Sequence, residues 1–276
     1  VGSGIAIFDA DGDSDLDIYL AQASDTLPKG TPSKAGMNRF FEQVAPMKFI
    51  DSTEGSGLAD EGFTMGVASG DYNNDGLPDI YVCNNGQDHL YKNLGGGQFT
   101  NVTIEAGIDI QGTSVSAGWL DYDLDGDLDL YISSWNRENR FYANNGDGTF
   151  ANITATTGMS EPDRSLMALP SDYNQDGLPD LYVINDFTRN ENGTPQPGVN
   201  HLYLANGDGT FRDATVEYGL EMPGNGMGAT LGDFNNDGYF EIFLTNISTL
   251  PNQPNPLYQG GPTPPFPNIG SDLGVG

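Results

Sequence analysis

One nine-residue acidic pattern occurs five times in this chain, and it constrains the fold more than any other feature. DADGDSDLD begins at Asp9, DYNNDGLPD at Asp71, DYDLDGDLD at Asp121, DYNQDGLPD at Asp172 and DFNNDGYFE at Asp233. The starts are spaced 50 to 62 residues apart. A small-and-apolar stretch precedes each copy, such as SGIAIF before Asp9 or MGVASG before Asp71. A β-rich stretch follows: IYLAQ, IYVCN, LYISS, LYVIN and IFLTN. A second landmark then recurs as NRFFEQ, HLYKNLGGGQF, RFYANNGDGTF, HLYLANGDGTF and PLYQGGPTPPF, and a tail of the type FTNVTIEAGI closes the unit.

Each unit reads as four strands. One precedes the acidic loop, one follows it, the Leu-Tyr segment is the third, and a Gly-rich turn leads to the fourth. Alternating aromatic and β-branched residues bounded by Asn-Gly, Asp-Gly and Gly-Gly are strand and hairpin signals. No window shows helical period for longer than about a turn. Four-stranded units repeating every ~40–60 residues are the signature of propeller blades. The fold class is therefore all-β, a β-propeller of five four-stranded blades at approximately 1–57, 58–108, 109–159, 160–220 and 221–276. These form one domain over residues 1–276, which either closes a five-bladed ring or belongs to a larger one. The last copy is complete because PFPNIGSDLGV overlays QFTNVTIEAGI. No linker or second domain is left over, and Val1 is expected to open a mature or trimmed chain.

The variation is also organised. Between strands two and three, the first, fourth and fifth blades insert SDTLPKGTPSKAG, DFTRNENGTPQPG and STLPNQP. Such Pro-, Gly- and polar-rich segments are exposed loops. The insertions, within 21–37, 185–200 and 246–256, should share one face. The acidic loops should occupy the opposite one.

The acidic spacing puts oxygen ligands at positions 1, 3, 5 and 9 of each loop. These are Asp9, Asp11, Asp13 and Asp17; Asp71, Asn73, Asp75 and Asp79; Asp121, Asp123, Asp125 and Asp129; Asp172, Asn174, Asp176 and Asp180; and Asp233, Asn235, Asp237 and Glu241. Glycine at position 6 suits a tight turn of positive φ. A hard cation takes six to eight oxygens at about 2.3–2.6 Å, which these groups, a main-chain carbonyl at position 7 and water can supply. No loop contains His or Cys, so zinc, copper and iron are poor candidates, and magnesium prefers fewer protein oxygens. An EF-hand needs Glu at position 12, where this chain has Leu20, Val82, Ile132, Val183 and Leu244. The expectation is Ca²⁺ at up to five sites. The loops hold 19 of the 39 Asp and Glu residues, a concentration that repels itself without a cation. Loop one departs from the pattern with Gly12 at position 4 and Ser14 at position 6, and loop five closes on Glu instead of Asp.

These loops, the LYxNNGDGTF landmark and the Gly/Ala stretches together resemble the FG-GAP/VCBS repeat family, whose best-known member is the propeller of integrin α subunits. The resemblance covers essentially the whole chain. It implies a calcium-binding β-propeller, usually seven-bladed, with ions between strands one and two. It also implies partner binding on the opposite face, where the insertions lie.

Composition narrows the partners. A formal net charge of -29, from 39 acidic and 10 basic residues, argues against nucleic acid or an anionic membrane. Aromatics at 11% argue against disorder. No apolar run approaches the ~18 residues of a membrane span. Cys83 is the only cysteine and reads as a small buried hydrophobe. His89 and His201 each precede Leu-Tyr, where a role at strand entry is expected. No nucleophile elbow, HExxH or phosphate loop occurs. Sequons stand at Asn101, Asn152, Asn192 and Asn246, of which the first two occupy equivalent places in the repeat. The reading is a secreted, non-catalytic propeller for adhesion, or a subunit of an extracellular assembly such as a filament. Its partner is a protein or glycan on the insertion face, or another copy through terminal blade edges. The alternatives are a calcium-dependent lectin and, further off, a polysaccharide-active enzyme.

Overall fold

The computed structural model describes residues 4–23, 36–135, 137–159, 164–189, 194–196, 198–221, 223–247 and 255–274. Most of the inserted loops at 21–37 and 246–256 lie outside them, as do 190–193 and 197 of the insertion at 185–200, and so does their expected clustering on one face. The described part of 185–200 is not the wholly exposed loop that its composition suggests: Asp186 is 5% exposed, and residues 188–189 pair with 195–196. The chain divides into two compact units. The first holds Val1–Trp119, Gly126–Ile132 and Tyr142–Asn152, and the second holds Leu120–Asp125, Ser133–Phe141 and Ile153–Gly276.

The repeat builds antiparallel meanders. Strands β1 (Ile5–Phe8), β2 (Asp17–Leu20), β3 (Arg39–Ala45) and β4 (Lys48–Asp51) form a sheet in that order. The second repeat supplies β5 (Thr64–Gly70), β6 (Asp79–Gln87), β7 (His89–Asn93) and β8 (Phe99–Asn101), and the third supplies β9 (Gln111–Leu120), β10 (Asp129–Ser134), β11 (Arg140–Asn144) and β12 (Phe150–Asn152). These two meanders run together because β6 overshoots its own hairpin and pairs with β9 through Asn85↔Thr113, Gly86↔Gly112 and Gln87↔Gln111. Gly86 and Gly112 sit at φ 144 and 153, a conformation that only glycine adopts without strain.

In the second unit, β13 (Ser165–Ser171) and β14 (Asp180–Asn185) are followed by short β15 (Thr188–Arg189), β16 (Pro195–Gln196) and β17 (Gly198–Val199). Then come β18 (His201–Ala205) and β19 (Phe211–Asp213), so that the sheet order is β13-β14-β18-β19. β20 (Pro223–Gly224) pairs with β17. The fifth repeat has β21 (Gly226–Gly232), β22 (Glu241–Asn246) and β23 (Leu257–Tyr258). Its expected fourth strand is reduced to a bridge, Tyr258↔Asn268. Pro265 and Pro267 flank Phe266 there and offer the ladder no N–H. The tail still docks like the others, since Ile269 donates to Leu257 O at 2.8 Å just as Val102 donates to Leu90 O at 2.9 Å.

α-Helix is confined, among the described residues, to single turns at α1 (Thr53–Ser56), α2 (Thr154–Thr157) and α3 (Thr215–Tyr218), and in α1 Glu54 and Gly55 leave helical φ/ψ. Each ends on a left-handed glycine, Gly57, Gly158 and Gly219. The cores lie between successive meanders. Tyr81, Cys83 and Leu90 of the second repeat pack with Leu130, Ile132 and Phe150 of the third. Tyr182, Ile184 and Leu202 pack with Ile242, Leu244 and Phe266. The second strands of the middle three repeats are therefore buried on both faces, as in Asp79–Asn84 and all of β10 and β14. In β1 burial alternates instead, leaving Ile5 and Ile7 each 55% exposed.

Candidate metal centres

Every acidic loop connects the first strand of a repeat to the second. In loop two, Asp71 at position 1 accepts N–H bonds from Asp75 (3.1 Å) and Gly76 (2.8 Å), and Asn73 Oδ1 accepts from Asp75 at 3.0 Å. Asp172 and Asn174 repeat this pattern in loop four, as do Asp233 and Asn235 in loop five. The position-5 carboxylates of Asp75, Asp176 and Asp237 each accept the N–H two residues on. Position 6 is glycine at positive φ in loops two to five: Gly76, Gly126, Gly177 and Gly238. Position 4 is left-handed too, at Asn74, Leu124, Gln175 and Asn236, which the ligand pattern alone does not reveal. Loop one keeps this backbone with the residues exchanged, Gly12 at φ 86 and Ser14 at φ 74. Ser14 pays the steric cost that glycine avoids elsewhere.

Position 9 is the buried member of each loop. Asp17, Asp79 and Asp180 are fully buried, and Asp129 and Glu241 are 2% exposed. One Asp79 oxygen accepts the Asn93 N–H at 2.7 Å, while the other takes the Tyr72 N–H at 3.3 Å. The same pair of bonds recurs at Asp17 with Gln43 and Ala10, and at Asp180 with Ala205 and Tyr173. These carboxylates thus pin the acidic loop to the end of strand three, besides offering lone pairs to an ion.

The electrostatics penalise negative charge in these loops. Burial, then the nearby carboxylates of Asp75 and Asp71, pushes the Asp79 carboxyl up to about 7. Burial, with Asp176 and Asp172, pushes Asp180 up to about 6. Asp17 is raised by burial and by Asp11 and Asp15, and Asp123 by burial and by Asp125 and Asp121. In loop one, single oxygens of Asp9, Asp11 and Asp17 all lie within 4.8 Å of one another. Two oxygens each 2.3–2.6 Å from one ion are at most about 5 Å apart, so this spacing fits a shared calcium. Asp13 holds the turn by accepting the Asp15 N–H at 2.9 Å. Loop three is divided between the units, with Asp121, Asp123 and Asp125 in the second and Asp129 in the first. In the second unit Asp121 accepts the Asp125 N–H at 3.0 Å. In the first unit Asp129 accepts that of Asn144 at 2.8 Å. The longer Glu241 of loop five still accepts the Phe234 N–H at 2.8 Å and receives the Asn235 amide at 3.3 Å.

A second recurrent network escaped the sequence reading. Asn38, Asp88, Asn139, Asn200 and Asn255 stand before strand three, and each accepts a backbone N–H from the end of strand two. The Asn38 amide also reaches Tyr19 Oη (3.0 Å) and Thr64 Oγ1 (2.9 Å) of the next repeat, and Thr64 passes the chain on to Asn84 at 2.8 Å. Asn139, Ser165 and Asn185 repeat the relay. Asn93 and Asn144 tie neighbouring repeats directly, donating to the loop carbonyls of Ala10 (2.9 Å) and Tyr72 (2.7 Å). The visible signal was the Asn or Asp that recurs two residues before each Phe-Phe, Leu-Tyr or Phe-Tyr pair.

The remaining candidates have structural partners. His89 Nδ1 lies 2.6 Å from Asp60 Oδ2 and His201 Nδ1 lies 2.9 Å from Asp213 Oδ2, both at strand entry. Cys83 is fully buried, and burial pushes its thiol well up. Asn101 Oδ1 accepts the N–H (3.1 Å) and hydroxyl (2.6 Å) of Thr103. Asp51 does the same for Thr53 at equal distances, so this sequon is one version of a structural turn. Asn192 lies outside the described residues. The Asn246 N–H donates to Asn255.

A profile of the FG-GAP-like repeat matches the chain four times, over residues 9–82, 71–132, 121–183 and 172–244. Cartilage acidic protein 1 of Homo sapiens is 30% identical over 128 residues, which is 45% of this chain and 18% of that protein. The protein of that name from Mus musculus is 30% identical over 129 residues, again 45% and 18%. The chain spans less than a fifth of the length of the curated relatives it matches. Among solved structures, an Agrocybe aegerita lectin described as recognising non-reducing terminal N-acetylglucosamine superposes with a TM-score of 0.41. Its identity is 17%, over 96% of this chain and 79% of that one. No helix among the described residues is long and apolar enough to cross a membrane.

Proposed function

The chain belongs to the FG-GAP-like repeat family, and from that premise we propose that it is a calcium-stabilised five-bladed propeller acting outside the cell. Its role is non-catalytic, in adhesion or as a structural subunit of an extracellular assembly. The observation that carries the reading is the recurrence of one acidic loop with a buried ninth carboxylate. A carboxyl driven up to about 7 among like charges, as at Asp79, describes a group waiting for a counter-ion. Oxygen-only donors select a hard cation, and extracellular calcium modules work at Kd of about 10⁻⁴–10⁻³ M. When bound, the ion supplies the positive charge that lets these carboxylates stay ionised and close together. The tissue in its relatives' name supports an extracellular setting. The partner, a protein or glycan, is assigned to the inserted loops 21–37, 185–200 and 246–256 on the strength of their sequence.

Metal counting by mass spectrometry tests the reading. Protein equilibrated with millimolar calcium and passed through metal-free buffer should retain several equivalents of calcium and little zinc. A preparation free of calcium after that treatment, yet folded, would refute it.

A further inference from the structure

Position 4 of the acidic loop is not a ligand position, yet in two loops its side chain leaves its own repeat. Asn74 Nδ2 lies 2.7 Å from Asp127 Oδ1 and 3.2 Å from Gly126 O, at positions 7 and 6 of loop three. Gln175 Nε2 lies 2.7 Å from Gly238 O, at position 6 of loop five. Both residues adopt the left-handed conformation, each at φ 56, which turns the side chain away from its own loop.

We propose that these two amides couple neighbouring cation loops in pairs, the second to the third and the fourth to the fifth. The proposal rests on the calcium reading above. Asn74 is flanked by the ligand positions Asn73 and Asp75, and Gln175 by Asn174 and Asp176. An ion that draws in positions 3 and 5 therefore fixes the residue between them. Its amide then holds the carbonyl of the turn glycine in the next loop, beside the position-7 carbonyl that completes that loop's ligand set. In an empty loop the carboxylates repel and this arm loses its anchor. Coupling of this kind is reciprocal, so ions in the third and fifth loops strengthen binding in the second and fourth by equal factors. Loops one and three lack the device. Gly12 has no side chain, and Leu124, 55% exposed, has no donor. Asn74 and Gln175 are thus positioning residues that act through the loop they touch.

Calcium titration of chelator-stripped protein by isothermal calorimetry, with melting curves at saturating calcium, is the test. Asn74→Leu and Gln175→Leu introduce what loop three already tolerates at position 4, and Asn74→Gln introduces what loop four carries. Wild type should bind with an apparent Hill coefficient above 1. Each Leu variant should weaken the later binding steps about fivefold or more, at the low end of measured coupling factors. The double variant should bind without cooperativity at unchanged stoichiometry, and Asn74→Gln should restore it. Superposable isotherms for wild type and the double variant, with equal calcium bound, would overturn the coupling and leave the calcium reading intact. Failure of wild type to take up calcium would overturn both.

Discussion

Asp79 illustrates how one side chain carries two duties whose energies have opposite sign without an ion. Its oxygens satisfy the N–H groups of Asn93 and Tyr72, and losing a buried acceptor costs about 1–3 kcal/mol. Its negative charge, buried beside Asp75 and Asp71, is a liability until a cation arrives. Asp79→Asn should therefore melt within a few degrees of wild type in EGTA, yet clearly below it in millimolar calcium. Equal deficits in both buffers would mean that the charge has no cationic partner. The His89–Asp60 pair gives a metal-independent check. The Asp60 hydrogen bond and charge raise the His89 value against the opposing effect of burial. Burial opposes the lowering of Asp60, but His89 holds it below the ordinary range. A raised His value stabilises below the unfolded value of about 6.5 and fades as pH climbs through the folded one. A lowered Asp value stabilises above about 3.9 and fades as pH falls through the folded one. His89→Gln should thus cost most between about pH 4 and 6.5, by roughly 1 kcal/mol given the partial exposure of His89, and less at pH 8. Denaturant titration of both proteins across that range, in saturating calcium, reads the difference.

At the scale of the element, the four-strand repeat was legible because period-2 patterning and turn glycines act locally. The glycines at position 6 fell where the tight turn demanded them. Interactions between repeats were less legible. The β6–β9 ladder depends on Gly86 and Gly112 meeting across two meanders, and nothing in either segment alone announces a partner. The fifth repeat matched the others in its tail, but Pro267 sits where a strand must donate, and the fourth strand shrank to a bridge. The Asn-x-Thr at 101–103 looked like a glycan acceptor or a repeat feature, and its hydrogen bonds favour the latter. Thr103 is 2% exposed and its hydroxyl also accepts the Leu90 N–H at 2.8 Å. Thr103→Val should cost about 1–3 kcal/mol through that orphaned donor. Asn101→Asp, which copies Asp51 and Asp213, should stay within about 0.5 kcal/mol of wild type, the range of surface changes. Chemical denaturation of both variants checks the contrast, and the reverse ranking would remove the turn from the account.

Within each compact unit, neighbouring repeats share a core, so a meander there uses its neighbour's side chains to cover a face. Ions that bind only the folded state stabilise it by mass action. At about 1 mM calcium, a site with Kd near 0.1 mM contributes about 1.4 kcal/mol, and five such sites, before any coupling between them, about 7 kcal/mol. That is comparable with the whole stability of an ordinary domain. At about 2–4 °C per kcal/mol for chains of this size, removing calcium should lower the melting temperature by roughly 15–25 °C. The deciding experiment is thermal unfolding of the intact chain in 1 mM calcium and again after exhaustive EGTA treatment. A drop of that order, reversed by adding calcium back but not by magnesium, is the predicted result. Coincident melting curves in the two buffers would contradict it.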